Sequence, residues 1–376
     1  MFVFSLPGPR IIKLRVMMVP VVLPDREEMM PKLVLRLLGN RIEQMALTDL
    51  GIPDYERNDQ ITAIQLLCER KNGLILVSGP TGSGKTTTLS AVQREMLKTY
   101  PNRVYYTIED PVEISIPNVN HVQVNQEAEL TFSRGLKAFL RGDPDVIMVG
   151  EIRDMDAATQ ALTASITGHL VLSTIHTNSA IETAIRLIDM GCDSFIVSSA
   201  LKAATAQRLV KRLCTECSME ASWDELTSGL HPVLNHRDNK LMRLRYTNAP
   251  RTYSDLDFYP DGRTVRIKGP GCSKCDGGIK GRALVSELFL MTPNVSQAIA
   301  SKQSFATVHQ IAVESGFKDL WQHAMFLIRT GVISFDDAVG DIGERDVLSP
   351  SEKKGMGSNQ TPQDRPSLSV VGQSRI

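Results

Sequence analysis

The chain has 376 residues, which corresponds to two or three domains at roughly 150 residues per domain. Lys and Arg number 42, Asp and Glu number 42, and hydrophobic residues make up 42% of the sequence, so the formal net charge is zero. This composition is ordinary for a globular protein and disfavours a disordered, collagen-like or coiled-coil chain. The charge balance also argues against a surface that grips nucleic acid or an acidic membrane throughout, because such surfaces carry a basic excess.

The first 24 residues are apolar but contain basic residues and prolines, so they resemble neither a secretory signal nor a transmembrane helix. Elsewhere, too, the sequence lacks an uncharged apolar run of about 18 residues, the length needed to span a bilayer. We therefore expect a cytoplasmic protein. In that reducing compartment the six cysteines are expected to be metal ligands or core residues rather than disulfides.

Changes of pattern along the chain predict its organisation. Residues 1–39 contain β-prone runs too few to form a domain of their own, and residues 40–60 are polar and predict a linker. From 61 to 343, apolar strands alternate with amphipathic helices, which predicts an α/β domain with a mainly parallel sheet. Residues 214–275 interrupt that alternation, and residues 344–376, rich in Ser, Gly, Gln and Pro, predict a disordered tail.

A phosphate-binding loop follows the apolar strand predicted at Leu74–Val77. The sequence GPTGSGKT fits the pattern G-x-x-x-x-G-K-[ST], and a helical pattern comes directly after it, as the motif requires. Its glycines let backbone N–H groups surround phosphate oxygens at a helix N-terminus. Lys85 is expected to place its charge on the β- and γ-phosphates, and the Thr86 hydroxyl to ligate Mg²⁺. The predicted nucleotide-binding residues are Gly79, Pro80, Thr81, Gly82, Ser83, Gly84, Lys85 and Thr86.

Acidic residues follow two further predicted strands. Val146–Val149 is separated by one glycine from Glu151, which could orient or deprotonate an attacking water. The aspartate usual before this glutamate is replaced by glycine, so charge at the metal must come from elsewhere. Tyr105–Ile108 ends at Glu109 and Asp110, which are candidates for contact with Mg²⁺ and water at the same sheet edge. For each acid, a solvated strand end or helix cap is the alternative interpretation.

A third predicted strand, Leu170–Ile175, ends at His176. This histidine could report the presence of a γ-phosphate. Its sequence context alone favours the simpler interpretation of a hydrogen-bonded residue at a strand end.

Four cysteines form two C-x-x-C pairs: Cys214 with Cys217, and Cys272 with Cys275. Such pairs suit a closed, structural Zn²⁺ site with four thiolate ligands, although the gap between them is long. A redox pair is the alternative, but neither pair follows a thioredoxin-like strand. Cys68 lies on an apolar helical face and is predicted to be a core residue.

Taken together, these motifs resemble the secretion ATPases of type II secretion, type IV pilus assembly and conjugative pilus systems. The resemblance covers about residues 61–340, and in that family, too, glycine precedes a catalytic glutamate. The segments that carry it are the P-loop at 79–89, an "Asp box" at 107–113, an atypical Walker B at 131–154, a "His box" at 167–178, and Gln207–Leu209 with the four cysteines.

The resemblance implies a RecA-like core with an inserted zinc module and C-terminal helices. It implies binding of ATP, with Thr87 added to the nucleotide site, and catalytic roles for Glu151, Glu109, Lys85 and His176. It identifies residues 1–39 as the end of a PAS-like N-terminal domain, most of which we expect to be missing from this chain. Arg15 and Arg36 are then candidates for phosphate contact, with solvated strand arginines as the alternative.

The resemblance further implies a homohexameric motor at the cytoplasmic face of the inner membrane. Such a motor would act through an inner-membrane platform protein, without direct contact to nucleic acid. The cysteines are typical of extension or secretion motors rather than retraction motors. Two other functions fit the same core: a nucleic-acid translocase, which the neutral charge and the lack of a basic and aromatic stripe disfavour, and a truncated subunit that binds nucleotide without motor activity.

Overall fold

A computed structural model describes the chain in segments. These are residues 2–5, 11–22, 29–38, 45–55, 58–222 and 264–343. The predicted disordered tail at 344–376 and most of the segment between the two cysteine pairs lie outside the described residues.

A three-stranded antiparallel sheet forms from β1 (Phe2–Ser5), β2 (Ile11–Val22) and β3 (Met29–Leu38). The β-prone runs of the N-terminal segment are therefore strands. Arg15 of β2 and Arg36 of β3 are opposite each other in the backbone register. Assignment of this segment to a PAS-like domain stays a prediction.

The predicted linker contains a segment that packs against the main body. A 3₁₀ helix spans Leu47–Leu50, and two short strands, β4 (Asp54–Tyr55) and β5 (Asn58–Asp59), pair antiparallel after it. Leu47 is 1% exposed, and Leu50 and Ile52 are also buried. These apolar side chains pack in one cluster with residues of the first helices, so this part of 40–60 is anchored rather than a free connection.

The remaining strands build one large sheet and one small ladder. Their bounds are β6 (Gly73–Ser78), β7 (Tyr105–Glu109), β8 (Asn120–Gln123), β9 (Val146–Val149), β10 (Leu170–Ile175), β11 (Leu201–Leu213), β12 (Met219–Ser222), β13 (Thr264–Ile267) and β14 (Ile279–Leu290). The large sheet has the order β14-β11-β6-β10-β9-β7-β8. Its strands are parallel except for β14, which pairs antiparallel with β11. β12 and β13 pair separately.

Helices cover both faces of this sheet. Their bounds are α1 (Gln60–Glu69), α2 (Lys85–Thr99), α3 (Phe132–Phe139), α4 (Met155–Ile166), α5 (Glu182–Asp189), α6 (Ser194–Ala200), α7 (Pro293–Ala300), α8 (Phe305–Glu314), α9 (Leu320–Arg329) and α10 (Phe335–Ile342). Within the described residues, no helix has the length and apolar character needed to cross a membrane.

Alternation along the strands distributes the core between the two faces. In β6, Leu74 and Leu76 point into one cluster with α4 and α6, whereas Ile75 and Val77 point into the other with α1 and α2. Continuous apolar strands of this kind are typical of parallel sheets buried on both sides. The α/β fold with a mainly parallel sheet and C-terminal helices is therefore confirmed. Cys68 is buried in the second cluster, as predicted.

Replacement of Leu47 tests the anchoring of the 47–52 segment. We expect Leu47→Ala to lower the free energy of unfolding by about 2 to 5 kcal/mol, because it removes a buried side chain and leaves a cavity. The measurement is urea unfolding followed by circular dichroism. Leu66→Ala is the matched control, since Leu66 is 58% exposed and should cost little. Equal, small effects of both substitutions would contradict the anchored segment.

Candidate functional site

The phosphate-binding loop connects β6 to the N-terminus of α2. Gly79 has φ of 140°, and a Cβ there would lie 2.5 Å from the Gln207 carbonyl oxygen, so only glycine fits. The Lys85 ammonium donates to the carbonyl oxygens of Gly79 (2.8 Å) and Pro80 (3.1 Å). The ammonium thus lies against the loop's own backbone, where it can reach a bound phosphate. Burial lowers the pKa of Lys85, the charge of Glu151 opposes that shift, and Arg208 adds to it.

Strand β11 braces this loop from the side. Ala206 is opposite Ser78 in the parallel register, so the next residue, Gln207, lies beside the loop. The Gln207 side-chain Nε2 donates to the Ser83 carbonyl oxygen (2.8 Å), and the side-chain Oε1 accepts from the Thr88 hydroxyl (2.9 Å). Gln207 therefore ties the loop to the first turn of α2.

Three of the predicted catalytic side chains meet at the carboxyl edge of the sheet. Glu151 follows β9, and its Oε2 lies 3.6 Å from Nε2 of His176, which follows β10. Its Oε1 is paired with Arg153. That hydrogen bond, with the charges of Glu151 and Asp110, raises the pKa of Arg153 although partial burial opposes it. Gly79 and Pro80, whose carbonyl oxygens accept from Lys85, line one cavity with His176, so Lys85 lies at the same site.

Glu109 is also at this edge, but its carboxylate is partly engaged. It is 5% exposed, and its Oε1 accepts from the Thr107 hydroxyl (2.8 Å) and lies 3.0 Å from Nδ1 of His121. Gly150 lies beside it: a Cβ at Gly150 would lie 3.3 Å from both the Glu109 Cα and the Ile108 carbonyl oxygen. This crowding disfavours an aspartate at position 150. Contact of Glu109 with metal stays a prediction.

Two cavities flank the loop. One, of about 430 Å³, has Gly79, Pro80 and His176 in its wall. The other, of about 560 Å³, borders the first turn of α2 and is more apolar. Its lining includes Thr87, Thr88, Leu50, Leu209, Leu284, Arg212 and Arg282. A nucleoside triphosphate at the loop would thus have the cavity beside His176 on one side and the more apolar cavity beside Thr87 on the other.

Arg15 and Arg36 lie on the N-terminal sheet as register partners. Their contact with phosphate stays a prediction.

Comparison with known proteins identifies the family of this site. The family model described as type II/IV secretion system protein matches residues 3–340. The chain belongs to the type II/IV secretion system protein family. The resemblance inferred from the motifs is therefore confirmed.

Individual relatives agree. Type II secretion system protein E of Aeromonas hydrophila is 37% identical over 326 residues, which cover 86% of this chain and 56% of the relative. The type IV pilus assembly ATPase PilB of Thermus thermophilus is 36% identical over 311 residues, covering 82% of this chain and 32% of PilB. The chain thus spans less than two thirds of the length of these relatives. The solved structure of the pilus retraction motor PilT with bound ADP aligns with a TM-score of 0.60 and 25% identity, covering 94% of this chain and 79% of PilT.

The four cysteines of this family member form one cluster. The ends of β11 and β14 bring the two pairs together despite their long separation, and all four Sγ atoms lie within 4.8 Å of one another. The distance is 3.8 Å from Cys214 to Cys272 and 3.6 Å from Cys217 to Cys275. A Cβ at Gly269 would lie 1.6 Å from the Cys217 carbonyl oxygen, so the turn before the second pair requires glycine. This arrangement fits a metal site with four sulfur ligands.

The Cys275 thiol is prepared for ionisation. Desolvation opposes its ionisation, but the backbone N–H groups of Cys272 and Gly278 donate to its sulfur (3.2 and 3.3 Å) and help lower its pKa to about 7. Metal binding requires thiolates, so this environment favours the ligand form.

Sequence reasoning assigned no role to Gln207, Arg208 or Arg153. Arg208 is 8% exposed, and it donates to the carbonyl oxygen of Asn178 at 3.1 Å, across the end of β6. The sequence signal for Gln207 and Arg208 is their place in Gln207–Leu209, one of the segments that carry the family resemblance.

A test of the bracing role uses Gln207→Leu. We expect its affinity for ADP to fall about tenfold or more, since two hydrogen bonds that hold the loop are lost. Fluorescence titration with a labelled ADP measures this. Gln65→Leu is the control. The Gln65 side chain donates one hydrogen bond to Glu95 of α2, away from the phosphate-binding loop. Unchanged affinity in Gln207→Leu would contradict bracing.

Proposed function

We propose that this chain is the ATP-hydrolysing part of a motor that powers assembly of a type IV-type pilus or a type II secretion pseudopilus. The observation that carries the proposal is the meeting of Lys85, Glu151 and His176 around the phosphate-binding loop. Names of the relatives, a pilus assembly ATPase and a type II secretion protein, support it. ADP in the similar PilT structure supports the choice of nucleotide.

In this proposal, the backbone N–H groups of Gly79–Gly84 and the Lys85 ammonium hold the β- and γ-phosphates. Thr86, in the first turn of α2, would hold Mg²⁺, which supplies neutralisation of phosphate charge when bound. Outside the four cysteines, the described residues contain no cluster of three or more metal-ligating side chains. Mg²⁺ beside phosphates is commonly held by one or two protein oxygens together with phosphate oxygens and waters. Glu109, the last residue of β7, would support the metal and the attacking water.

Glu151 takes the role of general base and orients the attacking water. Its Oε1 is paired with Arg153 in this structure, and the carboxylate oxygens keep further lone pairs that can accept from water. His176 lies 3.6 Å from Oε2, close enough to act on the charge of the carboxylate. The base and ribose would occupy the apolar cavity beside Thr87 and Thr88.

At the level of assembly, we propose a homohexamer at the cytoplasmic face of the inner membrane. Arg15 and Arg36 would contact phosphates there, and a platform protein would receive the motion. The four cysteines are typical of extension or secretion motors, so we favour assembly over retraction.

Glu151→Gln tests the chemistry. We expect the rate of ATP hydrolysis to fall about a hundredfold or more, because a carboxamide cannot accept the proton of water. Binding of ADP should remain. Phosphate release measures the rate, and Glu314→Gln, an exposed change on α8, is the control. Equal rates for Glu151→Gln and the unaltered chain would contradict the assignment.

For the cysteine cluster we propose Zn²⁺. Four thiolates on a tetrahedral ion with bonds of about 2.3 Å are about 3.8 Å apart, close to the observed 3.6 and 3.8 Å. All four positions would be filled by sulfur, so the ion would be structural rather than catalytic.

Removal of one ligand tests the zinc assignment. We expect the purified chain to contain one zinc per chain by elemental analysis, and Cys217→Ser to lose most of it. Cys192→Ser is the control, since Cys192 is a buried cysteine outside the cluster. The zinc content of this variant should equal that of the unaltered chain. Absence of zinc from the unaltered chain, or its retention in Cys217→Ser, would contradict the assignment.

A further inference from the structure

One buried acidic side chain near the site has no part in the proposed chemistry. Glu287 is on β14, opposite Ala206 of β11, and is 2% exposed. A carboxylate in such a place is retained where hydrogen bonds and opposite charge compensate for lost hydration. The groups that surround Glu287 therefore indicate what it holds in place.

Two backbone N–H groups from distant parts of the chain donate to this carboxylate. Ala180 donates to Oε1 at 2.5 Å, and Leu320 donates to Oε2 at 2.8 Å. Ala180 belongs to the segment between β10 and α5, four residues after His176. Leu320 is the first residue of α9, whose N-terminal N–H groups and dipole favour a negative charge. Glu287 thus joins the segment after β10 to the start of a C-terminal helix.

Arg208 is a further group that contacts the same segment after β10. Its charge acts on Glu287 and also on Lys85. Its guanidinium donates to the backbone carbonyl oxygen of Asn178 at 3.1 Å. Residues 176–180, defined here as the His176 segment, are therefore fastened at Asn178 by Arg208 and at Ala180 by Glu287.

The charges that face Glu287 come from two neighbouring elements: Arg208 from β11 and Asp319 from the residue before α9. Burial raises the pKa of Glu287, and the charge of Asp319 adds to that shift. The N–H groups of Ala180 and Leu320, together with Arg208, oppose it. The hydrogen bonds and Arg208 thus favour the acceptor form of this carboxylate, against the effect of burial.

We propose that Glu287 is a positioning residue for ATP hydrolysis, which holds the His176 segment against the phosphate-binding loop and couples it to the N-terminus of α9. The inference rests on the proposed function, since it assigns Glu287 to the same site. His176 lies 3.6 Å from Glu151, so a shift of this segment moves the partner of the general base. Glu287 is the hydrogen-bonded link through which a displacement of the His176 segment would reach α9, which packs with α10 in a separate core cluster.

Glu287→Gln is the principal test. A carboxamide of the same shape has one oxygen and one NH₂ group, so one of the two N–H donors faces another donor. We expect kcat for ATP hydrolysis to fall at least about tenfold, while KM for ATP and the affinity for ADP stay within about threefold. A group that only positions the reacting side chains lowers kcat in this way, because phosphate binding by the loop is untouched.

Ser286→Ala is the matched control. Ser286 precedes Glu287 on β14, and its buried hydroxyl has no hydrogen-bond partner among the described residues. Its kcat and KM should equal those of the unaltered chain. If Glu287→Gln keeps the unaltered kcat, or if it loses ADP affinity in proportion to kcat, the positioning role is wrong. If the unaltered chain hydrolyses no ATP, the proposed function fails instead.

A second measurement needs no variant and applies even if Glu287→Gln does not fold. Hydrogen exchange on the unaltered chain, with and without ADP, follows the backbone amides of Ala180 and Leu320. We expect ADP to change the protection of both amides together, although Leu320 lies in a C-terminal helix. A change at Ala180 with none at Leu320, or none at either while ADP is bound, would overturn the coupling.

Discussion

The parallel pairing of β6 with β10 and β11 is the constraint on which the site depends. Ser78, the last residue of β6, is opposite Ile175 on one side and Ala206 on the other. The phosphate-binding loop therefore leaves the sheet between the His176 segment and the polar end of β11. If either pairing shifted by one residue, the side chains of β6 that fill one core cluster would face the other cluster. Packing on both faces of β6 therefore opposes such a shift.

The buried polar side chains beside the phosphate-binding loop form hydrogen bonds to backbone groups as well as to other side chains. Arg208 donates to main-chain carbonyl oxygens, and Glu287 accepts from main-chain N–H groups. Each charge therefore fixes the course of the chain rather than one rotamer of a neighbour. Such contacts place loop segments accurately, since a backbone group cannot rotate away from its partner as a side chain can.

The parts of this structure that sequence could predict are those with local causes. The strand, glycine loop and helix around Lys85 follow from a motif and from apolar periodicity, and so do the strand ends that carry Glu109, Glu151 and His176. The burial of Leu47 was not predictable, because its contacts come from helices later in the chain. Glu287 belongs to the same class: its partners at Ala180 and Leu320 lie far away in sequence. A polar residue within an apolar strand indicates only that it needs partners, and its sequence does not say which residues supply them.

The cysteine cluster has a consequence for how the chain tolerates change in length. It closes the far end of the β11 and β14 pair, where Leu213 and Ile279 are the last register partners. The free-energy cost of closing a loop grows slowly, by about 0.6 kcal/mol for each doubling of its length. Within the stretch between the two cysteine pairs, β12 and β13 contribute Ala221, Val265 and Ile267 to a core cluster, and Ser222 and Thr264 are register partners at the end of that ladder. A change of length between Ser222 and Thr264 would therefore cost little in loop closure, because the ladder and the cysteine cluster already hold the two ends together.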